Sequence, residues 1–102
     1  MIVMTTETLT KDYEPLGLVR GSIIQSKHLG KDMAAGFKTL VGGELKGYTQ
    51  MMNEARETAI TRMTKQAEAL GADAVIGMRF TSSSVMQGAA EVTCYGTAIK
   101  YK

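Results

Sequence analysis

Apolar side chains recur at three- and four-residue intervals between Glu44 and Leu70. Turned at about 100° per residue, Leu45, Tyr48, Met52, Ala55, Ala59, Met63, Ala67 and Leu70 share one arc. Lys46, Asn53, Glu54, Glu57, Thr61, Lys65 and Glu68 fall opposite. The pattern predicts one continuous amphipathic helix over Glu44–Leu70, with Leu45, Met52, Met63 and Leu70 buried. The stretch has few β-branched residues and no proline, so propensity agrees with periodicity. Gly42-Gly43 interrupts the chain ahead of it, Glu44 places a negative charge at its positive end, and Gly71 supplies the left-handed residue that commonly ends a helix. At 1.5 Å per residue such a helix is roughly 40 Å long. A compact chain of about 100 residues has a diameter near 26 Å. Part of the stripe is therefore expected to need cover from another subunit.

Around this helix the period changes to two. Met1–Thr5 predicts a short first strand and Thr6–Asp12 a loop. Tyr13–Gln25 predicts a second strand, bent or at a sheet edge because Pro15, Gly17 and Gly21 interrupt it. Ser26 is placed to cap a shorter helix carrying Leu29, Met33, Phe37 and Leu40 on one face, weakened by Gly30 and Gly36 at about 1 kcal/mol each. Ala72–Phe80 predicts a central strand, and Thr81–Ala89, with three consecutive serines and Gly88, a loop. Ala90–Tyr101 alternates again, with Val92, Cys94 and Ala98 on one face and Thr93, Tyr95, Thr97, Ile99 and Tyr101 on the other. The last two strands are expected to pair antiparallel. The predicted order is β-β-α-α-β-β, one α+β domain over residues 1–102, with a short and a long helix on a small, mainly antiparallel sheet. The row Tyr95, Ile99 and Tyr101 is expected to serve a subunit contact.

Composition narrows the function classes. The chain has 102 residues, is 44% hydrophobic and 22% charged, and carries a net charge of +2 with its basic residues scattered. It lacks the basic stripe of a nucleic-acid binder. One cysteine excludes an internal disulfide and suits a reducing compartment. Neither a signal peptide nor an apolar run of membrane-spanning length is present in the sequence, so a cytoplasmic protein is expected.

Gly42-Gly43, Tyr48, Glu54-Ala55-Arg56, Ala59, the run Leu70-Gly71-Ala72-Asp73-Ala74-Val75-Ile76-Gly77 and Gly96-Thr97-Ala98 together resemble the YbjQ-like family, UPF0145. Thr5-Thr6 and Lys31-Asp32, where an Arg-Asp pair is usual, extend the match over nearly the whole chain. The resemblance implies a dodecin-subunit-like α+β fold assembled into a homopentameric ring. It brings a label of heavy-metal binding and no defined activity.

The residues give that label little support. Cys94 and His28 are single and far apart, with no C-x-x-C or H-x-x-x-H spacing. Cys94 reads as a small buried hydrophobe, and Met33, Met52 and Met63 as core filling. Arg56 is directed into the apolar arc. It predicts either a buried structural ion pair, with Asp32 or Glu91 as candidate partner, or an anion-binding group in a cleft or interface. Gly42-Gly43 could free backbone N–H groups for an anion, but makes a turn at least as well. No nucleophile elbow or phosphate loop appears. No catalytic, cofactor-binding or metal-ligating residue is assigned, and no cofactor. The expectation is a non-enzymatic cytoplasmic ring whose partner is itself, with a small ligand or heavy metal at subunit clefts. The alternative is a scaffolding ring that binds another protein.

Overall fold

The computed structural model describes residues 1–26, 40–41 and 44–102. The chain runs β1 (Ile2–Val3), β2 (Tyr13–Ser26), β3 (Leu40–Val41), β4 (Glu44–Leu45), α1 (Lys46–Ala69), β5 (Ala74–Met86) and β6 (Ala89–Tyr101). Four strands form one sheet in the order β1-β5-β6-β2, with β1 parallel to β5 and the other neighbours antiparallel. The α+β class, the antiparallel pairing of the last two strands and the edge position of β2 follow the sequence pattern. β2 also shifts register between Pro15 and Gly17, where proline cannot donate to a ladder. The shorter helix expected after Ser26 falls on residues 27–39, outside the described residues.

Helix α1 lies on one sheet face through a row of strict four-residue spacing. Met51, Ala55, Ala59, Met63 and Ala67 are buried, along the i, i+4 ridge of a helix surface. The last four meet Val19 of β2, Val75 of β5 and Val92, Cys94 and Ala98 of β6. The alanines allow the helix backbone to settle onto the sheet. At Gly21 an added Cβ would overlap the Ala59 carbonyl and stand 2.5 Å from the Met63 amide nitrogen. Met63 is the largest side chain fully withdrawn from water there, a burial that stabilises by about 1.5–3 kcal/mol.

The opposite face has its own, smaller core. Ala74, Ile76 and Ile99 are buried beneath Met4, Leu9, Tyr13 and Tyr101. The segment after β1 is fastened by Met4 N to Val75 O at 2.8 Å, Gly77 N to Thr6 O at 2.6 Å and Met78 N to Met4 O at 3.0 Å. Gly77 has φ +63°, at a point where β5 bulges between Ile76 and Arg79. The left-handed conformation makes glycine the natural residue there.

Four expectations require correction. The helix begins at Lys46, because Val41 pairs with Glu44 and Leu40 with Leu45 in an antiparallel ladder that holds Glu44 and Leu45 extended. It ends at Ala69, and Leu70 is 49% exposed rather than buried. The cause is a Schellman cap: Gly71 N bonds Glu68 O at 2.9 Å and Ala72 N bonds Ala67 O at 3.1 Å, with Gly71 at φ +78°. Ala72 then packs on the core in the place the helical pattern gave to Leu70. Thr81–Met86 is strand, not loop. Thr81, Ser82, Ser83 and Ser84 pair with Thr93, Val92, Glu91 and Ala90, so the ladder fixes a run whose side chains are all exposed. The turn is only Gln87-Gly88, with Gly88 at φ +77°. Finally, Tyr95, Ile99 and Tyr101 are not one exposed row, since Ile99 is fully buried within the chain. The long β5–β6 hairpin helps draw the molecule out to 53 × 25 × 18 Å with a radius of gyration of 16.8 Å, against about 13 Å for a compact chain of this length.

Candidate functional site

A cleft of about 260 Å³ opens where β2 ends and α1 begins, lined by Gln25, Ser26, Gly47, Gln50, Met51 and Glu54. The last residues of β2 supply one wall and the first three turns of α1 the other. Gln50 and Glu54 are one helical turn apart, and Gln50 Nε2 donates to Glu54 Oε1 at 3.1 Å. The volume lies just under the range typical of small-molecule sites. Among the described residues of the lining, Glu54 is the only ionisable side chain.

The donor set does not suit a heavy metal. One carboxylate, two amides, a hydroxyl and a thioether lack the thiolates and imidazoles that soft metals select. Among the described residues, no group of three or more His, Cys, Asp or Glu side chains could hold a metal ion. Cys94 is buried in the sheet core in register with Gly21. That position is four residues along β2 from the Gln25 wall, roughly 13 Å at strand rise. Burial pushes its thiol above the ordinary value near 9, against weaker opposing hydrogen bonds from the Gly21 and Cys94 backbone. A desolvated thiol of raised pKa is a poor ligand and a poor nucleophile. His28, Met33 and Asp32 lie outside the described residues. Met63 fills the core, and Met52 packs partly buried against it.

Arg56 departs from its expected place. It is exposed on α1, and its Nη1 donates to Asn53 Oδ1 at 3.0 Å. The buried row at four-residue spacing is narrower than the predicted arc and leaves position 56 beside it. Glu91 sits on the face of β6 away from the helix, in register with Ser83 and Ile24. It therefore cannot be the partner of Arg56 within one chain.

Three polar residues that periodicity did not single out have defined tasks. Gln66 Oε1 accepts from the Arg20 amide at 2.7 Å, and Arg62 Nη1 donates to the Ser22 carbonyl at 2.7 Å. Both bonds close outward backbone groups on edge strand β2. Their four-residue spacing, one position before Met63 and Ala67, was the available signal. Arg79 Nη1 donates to Thr5 O at 2.9 Å and Met78 O at 2.8 Å, and Nη2 meets Glu7 at 3.3 Å. It ties the loop after β1 to β5. The ion pair itself is exposed and worth little, so the carbonyl contacts are the stronger reason for the arginine.

On the face away from α1, Tyr95 stands between Arg20 and Arg79 in cross-strand register. Leu18, Ile24 and Tyr95 are exposed there, while Phe80, Val85 and Met86 are exposed along β5. Among the described residues, no helix is long and apolar enough to cross a membrane.

The chain belongs to the UPF0145, YbjQ-like family: the family model described as "putative heavy-metal-binding" matches residues 1–102. A UPF0145 protein of Thermosipho africanus is 62% identical over 104 residues, covering 100% of this chain and 96% of the relative. One from Thermotoga petrophila is 60% identical over 102 residues, covering 98% of this chain and 96% of the relative. Among solved structures, a protein of unknown function of the DUF74 family from Pediococcus pentosaceus is similar with a TM-score of 0.68 at 20% identity. That match covers 100% of this chain and 98% of the other. At that identity the likeness speaks for the fold alone.

Proposed function

We propose that this protein is a non-enzymatic, cytoplasmic, homo-oligomeric ring protein, a pentamer of dodecin-like subunits, which binds a small polar ligand at its subunit clefts. The observation that carries assembly is uneven cover: among the described residues one helix shields the middle of one sheet face, while Leu18, Ile24, Phe80, Val85 and Met86 remain exposed. Apolar surface of this kind, interspersed with Arg and Tyr, matches the composition of protein interfaces. The cleft bounded by Gln25, Ser26, Gln50 and Glu54 offers donors and acceptors for a polar ligand of modest size. A heavy metal is the less favoured ligand, because the described residues of one chain supply no matching donor set. Metal binding would need copies of a ligand brought together by symmetry.

The second reading is a scaffolding ring whose partner is another protein. It is favoured by the extended β5–β6 hairpin, which carries backbone and apolar groups suited to a protein surface. Protein purified without a tag, with native mass, elemental content and small-molecule content measured together, separates the readings. A ring with a stoichiometric small molecule supports the first reading, and a copurifying protein supports the second. A monomer free of either overturns both.

A further inference from the structure

The hydrogen bond between Gln50 and Glu54 decides which of their atoms are left to meet a ligand. Gln50 Nε2 donates to Glu54 Oε1 at 3.1 Å, which leaves the Gln50 carbonyl oxygen as an acceptor. Among the described residues, neither that oxygen nor the second carboxylate oxygen of Glu54 has a hydrogen-bond partner. Across the cleft, Val19, Gly21 and Ile23 put the odd-numbered positions of β2 on the helix side of the sheet, and Gln25 continues that alternation. Its amide offers a further carbonyl oxygen. Met51, only 6% exposed, supplies an apolar surface among these groups.

The described lining thus combines one negative charge, several acceptor oxygens and a thioether, with no cationic side chain. An anion placed there would face Glu54 without a compensating charge. A quaternary ammonium is recognised by aromatic rings, and none of the described lining residues is aromatic. A guanidinium fork is matched to both oxygens of a carboxylate, and Gln50 already occupies one of them. A primary ammonium concentrates three N–H donors on one compact charge, which suits single acceptors on neighbouring side chains.

We infer that the cleft between the end of β2 and the start of α1 takes a small aliphatic primary amine in its protonated form. The ammonium sits on Glu54 and Gln50, and the carbon chain lies along Met51. A volume of about 260 Å³ suits a chain of a few carbons rather than a cofactor-sized molecule. The inference rests on the reading of this cleft as a small-ligand site and names the class of ligand.

Titration of the full-length protein at neutral pH with n-butylamine tests it, beside 1-butanol and butyrate, which carry a similar alkyl chain without the positive charge. Residue-resolved amide NMR should show saturable shifts at Gln25, Ser26, Gln50 and Glu54 with n-butylamine, and binding of the other two weaker by about tenfold or more. Glu54→Gln keeps an acceptor for Gln50 and removes the charge. It should retain the fold by circular dichroism and weaken n-butylamine binding by about tenfold or more. Glu57→Gln removes an equal charge from an exposed position of the same helix outside the lining, and should leave binding unchanged. Equal or tighter binding of 1-butanol or butyrate at the cleft overturns the amine and leaves a small-ligand site standing. Undiminished n-butylamine binding by a folded Glu54→Gln variant does the same, as does an equal loss in Glu57→Gln. No saturable shift at the cleft with any of the three probes overturns the small-ligand reading together with the amine.

Discussion

Gly21 faces the carbonyl of Ala59 so closely that no side chain fits between them: an added Cβ would overlap that oxygen. β2 and α1 thus meet backbone to backbone at the middle of the core. Gly21→Ala must push the helix off the sheet and disturb the packing of Val19, Met63 and Cys94. A loss of about 1–3 kcal/mol or more is expected in urea unfolding. A variant as stable as wild type would mean that the helix does not ride on this glycine.

Substitutions along the helix should separate the buried row from its neighbours. Met63→Ala is expected to cost about 2–5 kcal/mol, because Met63 is fully enclosed. Leu70→Ala and Glu57→Ala should each change stability by less than about 0.5 kcal/mol, since both side chains are exposed. Chemical denaturation of the three variants checks the phase of the helix.

Much of this was legible in the sequence. The 3.6-residue period around Ala55, Ala59, Met63 and Ala67 placed the helix, and the two-residue period of Val92, Cys94 and Ala98 placed the last strand. Pro15 and Gly17 marked β2 as an edge. Leu70 was misplaced because a Schellman cap ends the helical period one residue earlier than hydrophobicity does. Thr81–Ser84 was misread because a strand held by its ladder, with both faces in water, has no apolar alternation to show. The four-residue spacing of Arg62 and Gln66 is visible in the sequence, but their partners are backbone groups of β2, which a pattern of side chains does not identify. The cleft joins the end of β2 to the start of α1, a meeting that depends on tertiary geometry.

The edge clamp makes its own prediction. Arg62→Ala and Gln66→Ala each release one backbone group of β2 and should cost about 0.5–1.5 kcal/mol. The double variant should also aggregate more readily on concentration, because it exposes a longer free edge. Light scattering against protein concentration gives the comparison, and unchanged solubility would show that the clamp does not guard the edge.

Cys94 ties stability to alkaline pH. Its thiol is held above the ordinary value near 9, chiefly by burial. The unfolded chain therefore loses its thiol proton first as pH rises, and the folded state loses relative stability from the unfolded value up through the folded one. Cys94→Ala should flatten that decline. Native protein at pH 8 should react slowly with a thiol reagent and rapidly once unfolded in urea. Fast reaction of the folded protein would place the thiol at the surface.

The mass of untagged protein in solution, measured by light scattering after gel filtration at micromolar concentration, tests the assembly most directly. Five chains of 11.0 kDa give about 55 kDa, and that is the result expected if exposed sheet surfaces close a ring. A well-folded species at 11.0 kDa would contradict it.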